Sequence, residues 1–221
     1  ANSGADDILY VSFGHNQKQA EEFLHAQSEA DQKKLRLIQA DMSSYDQMMN
    51  FVTRIKKETD HVDWLVNNVG ISTYAKYEDY TFEEWSKIVN TNLSVPVFLV
   101  KELRPIIREG GSILFTGSYA GQQAYSSSLV YGVTKSAIHF LTKSLVKELE
   151  PKQIRVNAIA PGFIMTEMTA KLPDEVKEGW YKQIPLRRGG TPEDVAKVAL
   201  FLASDLSSYV SGQVIHCCGA M

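Results

Sequence analysis

Short apolar runs alternate along the chain with longer stretches in which apolar residues recur every three or four positions. The runs are rich in Val, Ile and Leu, and several lack polar alternation, which is typical of strands covered on both faces of a parallel sheet. Six runs are predicted as strands: Ile8–Phe13, Leu35–Ala40, Val62–Val66, Ile113–Thr116, Ile154–Ile159 and Gln213–Cys217.

Helical patterns fill the intervals between these strands. Asn16 is a candidate helix cap, the stretch Asp41-Met42-Ser43-Ser44 starts another helix, and Thr81 with Glu84 three residues later forms a capping box. The predicted helices run from Asn16 to about Gln27, onward from Ser44, from Thr81 to about Arg108, over about Ser128–Glu150, onward from Thr166, and over about Pro192–Ala203. This alternation predicts a single, doubly wound α/β domain of Rossmann type over residues 1–221, which binds its ligand at the carboxyl ends of the strands.

Composition narrows the function classes. The 221 residues carry a net charge of −3, and no basic stripe or apolar run of membrane-spanning length is present. Nucleic acid and membrane are therefore not predicted as partners. Cys217 and Cys218 are the only cysteines, and adjacent cysteines neither pair readily nor form a zinc site. We therefore expect a reducing, cytoplasmic location and no metal.

Tyr131 and Lys135 are the first candidates for chemistry, because they lie one turn apart on a predicted helix. An ammonium near a phenol lowers the pKa of the phenol, and such a pair could donate a proton to a carbonyl oxygen. Taken alone, the spacing equally fits an exposed helix pair of no function. Ser118, directly after the strand Ile113–Thr116, adds a hydroxyl at the end of a neighbouring strand.

Five motifs occur in one order: Asn67-Asn68-Val69-Gly70, Thr91-Asn92-Leu93, Ser118, Tyr131-x-x-x-Lys135 and the stretch 157–168, NAIAPGFIMTEM. On these motifs the chain resembles the short-chain dehydrogenase/reductase family over nearly its whole length. The resemblance implies that Tyr131 is the proton donor in reduction and that Lys135 lowers its pKa and binds the nicotinamide ribose. It also implies that Ser118 bonds the substrate oxygen and that Asn92 holds a water of a proton relay. Pro96 lacks an N–H for the Asn92 carbonyl, which would free that carbonyl for the water; the alternative is a simple helix kink.

The resemblance also implies a nicotinamide cofactor site. Its expected residues are Phe13, Asp41, Met42, Asn68, Val69, Gly70, Tyr131, Lys135, Pro161, Gly162, Ile164 and Thr166. No carboxylate ends the strand Ile8–Phe13 to repel a 2′-phosphate, and His15 and Lys18 could meet one. We therefore expect NADP(H), with NAD(H) as the alternative.

One part of the family pattern is missing from the 221 residues. The family's cofactor domain opens with a strand, a T-G-x-x-x-G-x-G turn and a helix, and no such turn occurs here. Ser3-Gly4-Ala5 resembles the end of that helix. The first strand and helix, about 25 residues, are therefore expected to be absent, which would leave the sheet without a central strand.

Within the family, Ile154–Thr169 and Leu200–Gln213 resemble bacterial 3-oxoacyl-[acyl-carrier-protein] reductases. That resemblance implies a carrier-bound acyl substrate, a homotetramer, and Lys152 as a basic residue near the mouth of the site that docks the carrier protein. It also implies a substrate lid over Lys171–Arg188. The alternatives are a reductase of another small ketone, aldehyde or sugar, and a non-catalytic binding subunit of the same fold. The presence of all four catalytic-type residues disfavours the last.

Overall fold

A computed structural model describes residues 7–221, apart from the side chain of Met168. The helix end predicted at Ser3-Gly4-Ala5 lies outside the described residues. The strands are β1 (Leu9–Phe13), β2 (Leu35–Gln39), β3 (Val62–Asn67), β4 (Ile107–Thr116), β5 (Arg155–Pro161) and β6 (Val214–Cys217). All of their pairings are parallel, in a sheet of order β1-β2 and a second sheet of order β3-β4-β5-β6.

Nine α-helices occur in the described part of the chain. They are α1 (Gln17–His25), α2 (Glu29–Lys34), α3 (Tyr45–Glu58), α4 (Phe82–Val89), α5 (Val95–Leu103), α6 (Leu129–Glu148), α7 (Glu167–Ala170), α8 (Asp174–Gln183) and α9 (Pro192–Ala203). The predicted caps at Asn16 and Thr81 are confirmed: each side chain accepts a bond from the first turn of its helix, and Thr81 and Glu84 form the capping box. Ser44 caps α3 in the same way. None of the helices described is both long and apolar enough to cross a bilayer.

The predicted helix from Thr81 to Arg108 is interrupted. Between α4 and α5, Asn90–Ser94 form a π-helical turn, and Val95 donates its N–H to the Asn90 carbonyl five residues earlier. Pro96 lies just after this turn and cannot donate. Strand β4 also begins at Ile107, six residues earlier than the apolar run predicts, because the segment before Gly111 pairs with the start of β3.

Helices cover both faces of the four-stranded sheet, which confirms the doubly wound α/β class. On one face, Ile113 and Phe115 of β4 pack with the buried faces of α3, α5 and α6. On the other face, Leu114 and Ile159 pack with Leu202 of α9. Successive residues of β4 therefore pack into the two cores on opposite faces of the sheet, which accounts for the lack of polar alternation in its sequence.

Candidate active site

The buried stripe of α6 determines where Tyr131 and Lys135 lie. Val130, Thr134 and Ile138 are buried on this helix, and Lys135 is only 4% exposed. The Lys135 Nζ donates to the Thr116 carbonyl at 2.6 Å and lies 5.6 Å from the centre of the Tyr131 ring. The helix therefore places the ammonium beneath the phenol at the carboxyl end of β4.

Ser118, which follows β4, is the third side chain of the group that contains Tyr131 and Lys135. It follows the strand by two residues, is nearly buried, and its Oγ accepts the backbone N–H of Ala120 at 3.1 Å. Its side chain lies close enough to Tyr131 to favour the ionised phenol and so to lower the pKa of Tyr131. A carbonyl oxygen bound beside the two hydroxyls could accept a hydrogen bond from each.

Burial shifts the pKa values of both Tyr131 and Lys135. Burial lowers the pKa of Lys135 to about 8. Burial also raises the pKa of Tyr131; the bond from Ser118 lowers it, and Tyr74 raises it further. Desolvation of the phenol therefore outweighs the other influences on Tyr131 in the protein without its ligands. The effect of Lys135 on the pKa of Tyr131 stays a prediction.

Asn92 lies in the π-helical turn and is 1% exposed. Its Oδ1 accepts the Ile71 N–H at 2.8 Å, and its Nδ2 donates to the Ile71 carbonyl at 2.9 Å and to Thr134 Oγ1 at 3.1 Å. The side chain therefore fixes the loop after β3 against α6. The relay water at the backbone carbonyl of Asn92 stays a prediction.

The residues predicted to bind the cofactor lie along the same edge. Phe13 and Pro161 end β1 and β5, Tyr131 and Lys135 lie on α6, and the others follow β2, β3 and β5 in the connecting loops. Asn68 Oδ1 accepts from Thr116 Oγ1 at 2.9 Å, which links the loops after β3 and β4. A Cβ on Gly70 would lie 3.3 Å from the Lys135 Nζ, a tight contact, so this glycine brings the backbone close to the ammonium without crowding it.

Asp41 marks the far end of this edge. Its carboxylate accepts from the N–H and hydroxyl of Ser43, and these bonds lower the pKa of Asp41. His15 Nε2 lies 3.6 Å from the Asp41 carboxylate. Asp41, two residues after β2, therefore lies beside His15, which follows β1 by two residues.

His139, to which sequence reasoning assigned no role, packs behind Ser118. The Ser118 backbone N–H donates to its Nε2 at 3.5 Å, and Gly117 leaves no room for a side chain against the ring. Burial, with smaller contributions from His216 and two lysines, lowers the pKa of His139 to about 4. The ring is therefore neutral at physiological pH and can accept this bond.

We expect His139 to make the protein less stable in acid. Because its pKa is lower in the folded state than the 6.5 of an ordinary histidine, the folded protein binds fewer protons, and stability falls as the pH drops from about 6.5 to about 4. For this partly buried ring the loss is expected to be about 1 to 2 kcal/mol. Urea unfolding at pH 7 and pH 4.5 measures it; His139→Gln should shrink the difference, whereas His25→Gln, on the exposed end of α1, should not. Equal acid loss in all three proteins would contradict this assignment.

Aromatic side chains join α8 to the loops beside the site. The Trp180 ring stacks on Phe163 with centroids 5.5 Å apart and meets Tyr125 edge to face at 5.8 Å. Phe163 follows β5, and Tyr125 lies between Ser118 and Tyr131 in the chain. The predicted lid segment Lys171–Arg188 contains α8. Trp180 therefore connects this segment to the loop after β5, through Phe163, and to the segment between Ser118 and Tyr131, through Tyr125.

Lys152 does not lie where the resemblance implies. Its Nζ donates to the carbonyls of Arg104, Pro105 and Ile107 at 2.9 to 3.0 Å. These acceptors stand at the amino end of β4, whereas Ser118 follows the carboxyl end of that strand. The prediction that Lys152 borders the mouth of this chain's own site is therefore wrong, since its three donors hold the turn between α5 and β4.

Comparison with known proteins identifies the family. A family model described as enoyl-(acyl carrier protein) reductase matches residues 3–221. A 3-oxoacyl-[acyl-carrier-protein] reductase FabG of Chlamydia trachomatis is 42% identical over 183 residues, which cover 82% of this chain and 74% of that protein. A 3alpha-hydroxysteroid dehydrogenase of Mediterraneibacter gnavus is 42% identical over 176 residues, or 79% of this chain and 70% of that one.

Solved structures agree with this relationship. A short-chain dehydrogenase/reductase from Brucella melitensis is 29% identical with a TM-score of 0.88, and the match covers 96% of this chain and 85% of that one. A blue fluorescent protein from a metagenomic library, solved in complex with NADPH, is 25% identical with a TM-score of 0.89, covering 96% and 87%. The chain belongs to the short-chain dehydrogenase/reductase family. It is an oxidoreductase that acts on C=O and CH–OH groups.

Proposed function

We propose that this chain reduces the 3-oxo group of an acyl chain carried on acyl carrier protein to a 3-hydroxy group, with NADPH as the reductant. The observation that carries the proposal is the convergence of Ser118 and Tyr131 above the buried Lys135. The relatives named as 3-oxoacyl-[acyl-carrier-protein] reductases, about 40% identical, support the substrate class.

Each residue of the site has a separate role in the reduction. The Ser118 hydroxyl donates to the substrate carbonyl oxygen and positions it beside Tyr131. The Tyr131 phenol then donates its proton to this oxygen as the C=O bond becomes a CH–OH bond. The buried ammonium of Lys135 stabilises the phenolate that remains. When bound, the nicotinamide supplies the hydride that the carbonyl carbon accepts.

The carboxyl edge of the strands fits such a cofactor. Gly70 offers backbone close to Lys135 without a side chain, and Asp41 and Met42 close the far end beside Phe13. We assign the ribose of the nicotinamide to Tyr131 and Lys135. We assign the remaining cofactor contacts to the residues that the sequence predicts for them, namely Asn68, Val69, Pro161, Gly162, Ile164 and Thr166.

The preference for NADPH rests on charge beside β1. His15 and Lys18 have side chains 86% and 87% exposed at the start of α1, where they could meet a 2′-phosphate. We expect Lys18→Glu to weaken NADPH binding about two- to fivefold with little effect on NADH, because an exposed charge pair is worth about 1 kcal/mol or less. Fluorescence titration of both nucleotides measures this. Lys33→Glu, in α2 just before β2, makes the same charge change away from the start of α1 and is the control. Equal losses of affinity for NADPH and NADH in Lys18→Glu would contradict the preference for NADPH.

NADPH oxidation followed at 340 nm with an acetoacetyl thioester tests the proposed function. Turnover that depends on Tyr131 is expected. Binding of NADPH without turnover of this thioester would overturn the acyl substrate while leaving the family unchanged. The full-length protein should be used for this assay.

A ring-shaped ketone is the second candidate substrate. The stacked rings of Phe163 and Trp180 suit a flat apolar molecule, and one relative is named as a hydroxysteroid dehydrogenase. We expect Trp180→Ala to raise KM for the preferred apolar substrate at least tenfold and to change kcat much less, since the ring lies at the mouth and not on the reacting atoms. Comparing the thioester with a steroid ketone in both proteins decides between the candidates. Loss of kcat alone would contradict this role for Trp180.

The homotetramer and the cytoplasmic location stay predictions.

A further inference from the structure

Helix α6 carries a third polar side chain on the side that holds Tyr131 and Lys135. His139 follows these two residues at intervals of four, so all three lie along one side of the helix. Lys135 donates to the carbonyl of Thr116, and the Nε2 atom of His139 accepts the backbone N–H of Ser118. The helix therefore binds the chain both just before Ser118 and at Ser118 itself.

The turn that carries Ser118 fits closely around the His139 ring. Gly117 and Gly121 lie on either side of Ser118 in the chain, and a Cβ on Gly121 would lie 2.8 Å from Cε1 of the ring. A Cβ on Gly117 would collide with Nε2 and Cδ2 of the same ring. The ring therefore occupies the space that a side chain at either glycine would need, and it limits where the Ser118 backbone can lie.

The same turn determines the position of the Ser118 hydroxyl. Its Oγ accepts the N–H of Ala120 at 3.1 Å and so caps the short 3₁₀ turn Tyr119–Gly121. The N–H of Gly121 donates to the Ser118 carbonyl at 2.9 Å. Because the hydroxyl and the carbonyl of Ser118 are both bound within the turn, the contact of its N–H with α6 sets the position of the whole residue.

The surroundings of the His139 ring keep its Nε2 able to accept. His216 of β6 meets the ring edge to face with centroids 6.3 Å apart, and it also meets Tyr119 of the turn at 5.9 Å. His216, Lys135 and Lys143 each lower the pKa of His139, as burial does. An imidazole with a proton on both nitrogens cannot accept a hydrogen bond, so these neighbours favour the form that can.

We propose that His139 is a positioning residue for carbonyl reduction, which holds the backbone of Ser118 so that the serine hydroxyl meets the substrate oxygen beside Tyr131. The inference rests on the proposed function. His139 acts through Ser118 and is assigned no contact with substrate or cofactor. Its loss should therefore lower kcat and leave nucleotide affinity unchanged, because misplacing a group by about 1 Å can cost up to about 100-fold in rate.

Two substitutions of His139 separate the hydrogen bond from the packing. Leucine fills the space without an acceptor, whereas the side-chain oxygen of glutamine can accept. With the full-length protein, NADPH and an acetoacetyl thioester, kcat should fall at least fivefold in His139→Leu and less than twofold in His139→Gln. NADPH affinity should stay within twofold in both. His25→Leu, on the exposed end of α1, makes the same change of residue and should alter neither value. Equal losses of kcat in the two His139 variants, or a loss of nucleotide affinity in place of kcat, would overturn the proposal.

A double-mutant cycle with Ser118→Ala tests whether the effect passes through the serine hydroxyl. His139→Leu should lower kcat at least fivefold when Ser118 is present and less than twofold when alanine replaces it, because no hydroxyl then remains to be positioned. Equal losses in both backgrounds would overturn the proposal, since they would show that His139 acts on the site by another route.

Amide hydrogen exchange of Ser118, measured without ligands, tests the contact itself. Its N–H should exchange at least fivefold faster in His139→Leu than in the unaltered protein or in His139→Gln. Equal exchange rates in the three proteins would overturn the proposal. This readout needs neither cofactor nor substrate. If the unaltered protein fails to turn over the thioester, the proposed function fails, and the exchange rates alone decide whether His139 holds Ser118.

Discussion

Replacing Tyr131 by phenylalanine is expected to lower kcat at least 100-fold. The variant keeps the ring that packs on α6 and removes only the hydroxyl that would protonate the substrate oxygen. A positioned acid contributes about 10² to 10⁴ in rate. Cofactor affinity should fall by no more than about tenfold, because a single neutral hydrogen bond is worth about 0.5 to 1.5 kcal/mol. Steady-state kinetics and nucleotide titration measure the two effects separately.

Tyr209→Phe is the matched control, since Tyr209 is fully exposed beyond α9 and the change removes the same hydroxyl. Its kcat and its nucleotide affinity should equal those of the unaltered protein. A Tyr131→Phe variant that keeps more than a tenth of the original kcat would show that another group protonates the substrate.

The second large effect is expected from Lys135→Met. Methionine fills the same buried channel without charge, so kcat should fall at least 100-fold through loss of the ammonium that stabilises the phenolate. Nucleotide affinity should fall about 10- to 150-fold as well, because hydrogen bonds from a charged donor are worth about 1.5 to 3 kcal/mol. The joint loss separates Lys135 from Tyr131, whose removal affects chiefly kcat.

The pH dependence gives a further check on Lys135. Burial lowers its pKa to about 8, so the protein without ligands loses this ammonium as the pH rises through 8. Nucleotide affinity should therefore decline above that pH in the unaltered protein and be flat in Lys135→Met. Lys147→Met, on the exposed end of the same helix, should keep the decline. A flat profile in the unaltered protein would contradict the role of the charge in binding.

Local signals in the sequence predicted much of the fold. A cap such as Thr81 with Glu84 depends only on residues three apart, and the apolar runs mark strands whose partners need not be known. The spacing of Tyr131 and Lys135 likewise placed both on one face of a helix. Such features are decided within a turn or a strand, where the sequence carries the information directly.

Features that depend on tertiary packing were not predictable in this way. The contact of His139 with Ser118 spans 21 positions, and the bonds of Asn92 to Ile71 span the same distance. The direction of the pKa shift at Tyr131 depends on depth of burial, which helical spacing does not give. Lys152 was misplaced for a related reason: its position in the chain does not reveal which end of the sheet its side chain reaches.

Product stoichiometry in a single turnover tests the central claim most directly. The full-length protein, in excess, is mixed with NADPH and an acetoacetyl thioester, and the hydroxyacyl product and the NADPH consumed are both measured. One hydroxyacyl molecule is predicted for each NADPH consumed, at a rate that falls at least 100-fold in Tyr131→Phe. NADPH consumption without hydroxyacyl product, or an equal rate in the variant, would contradict carbonyl reduction by this site.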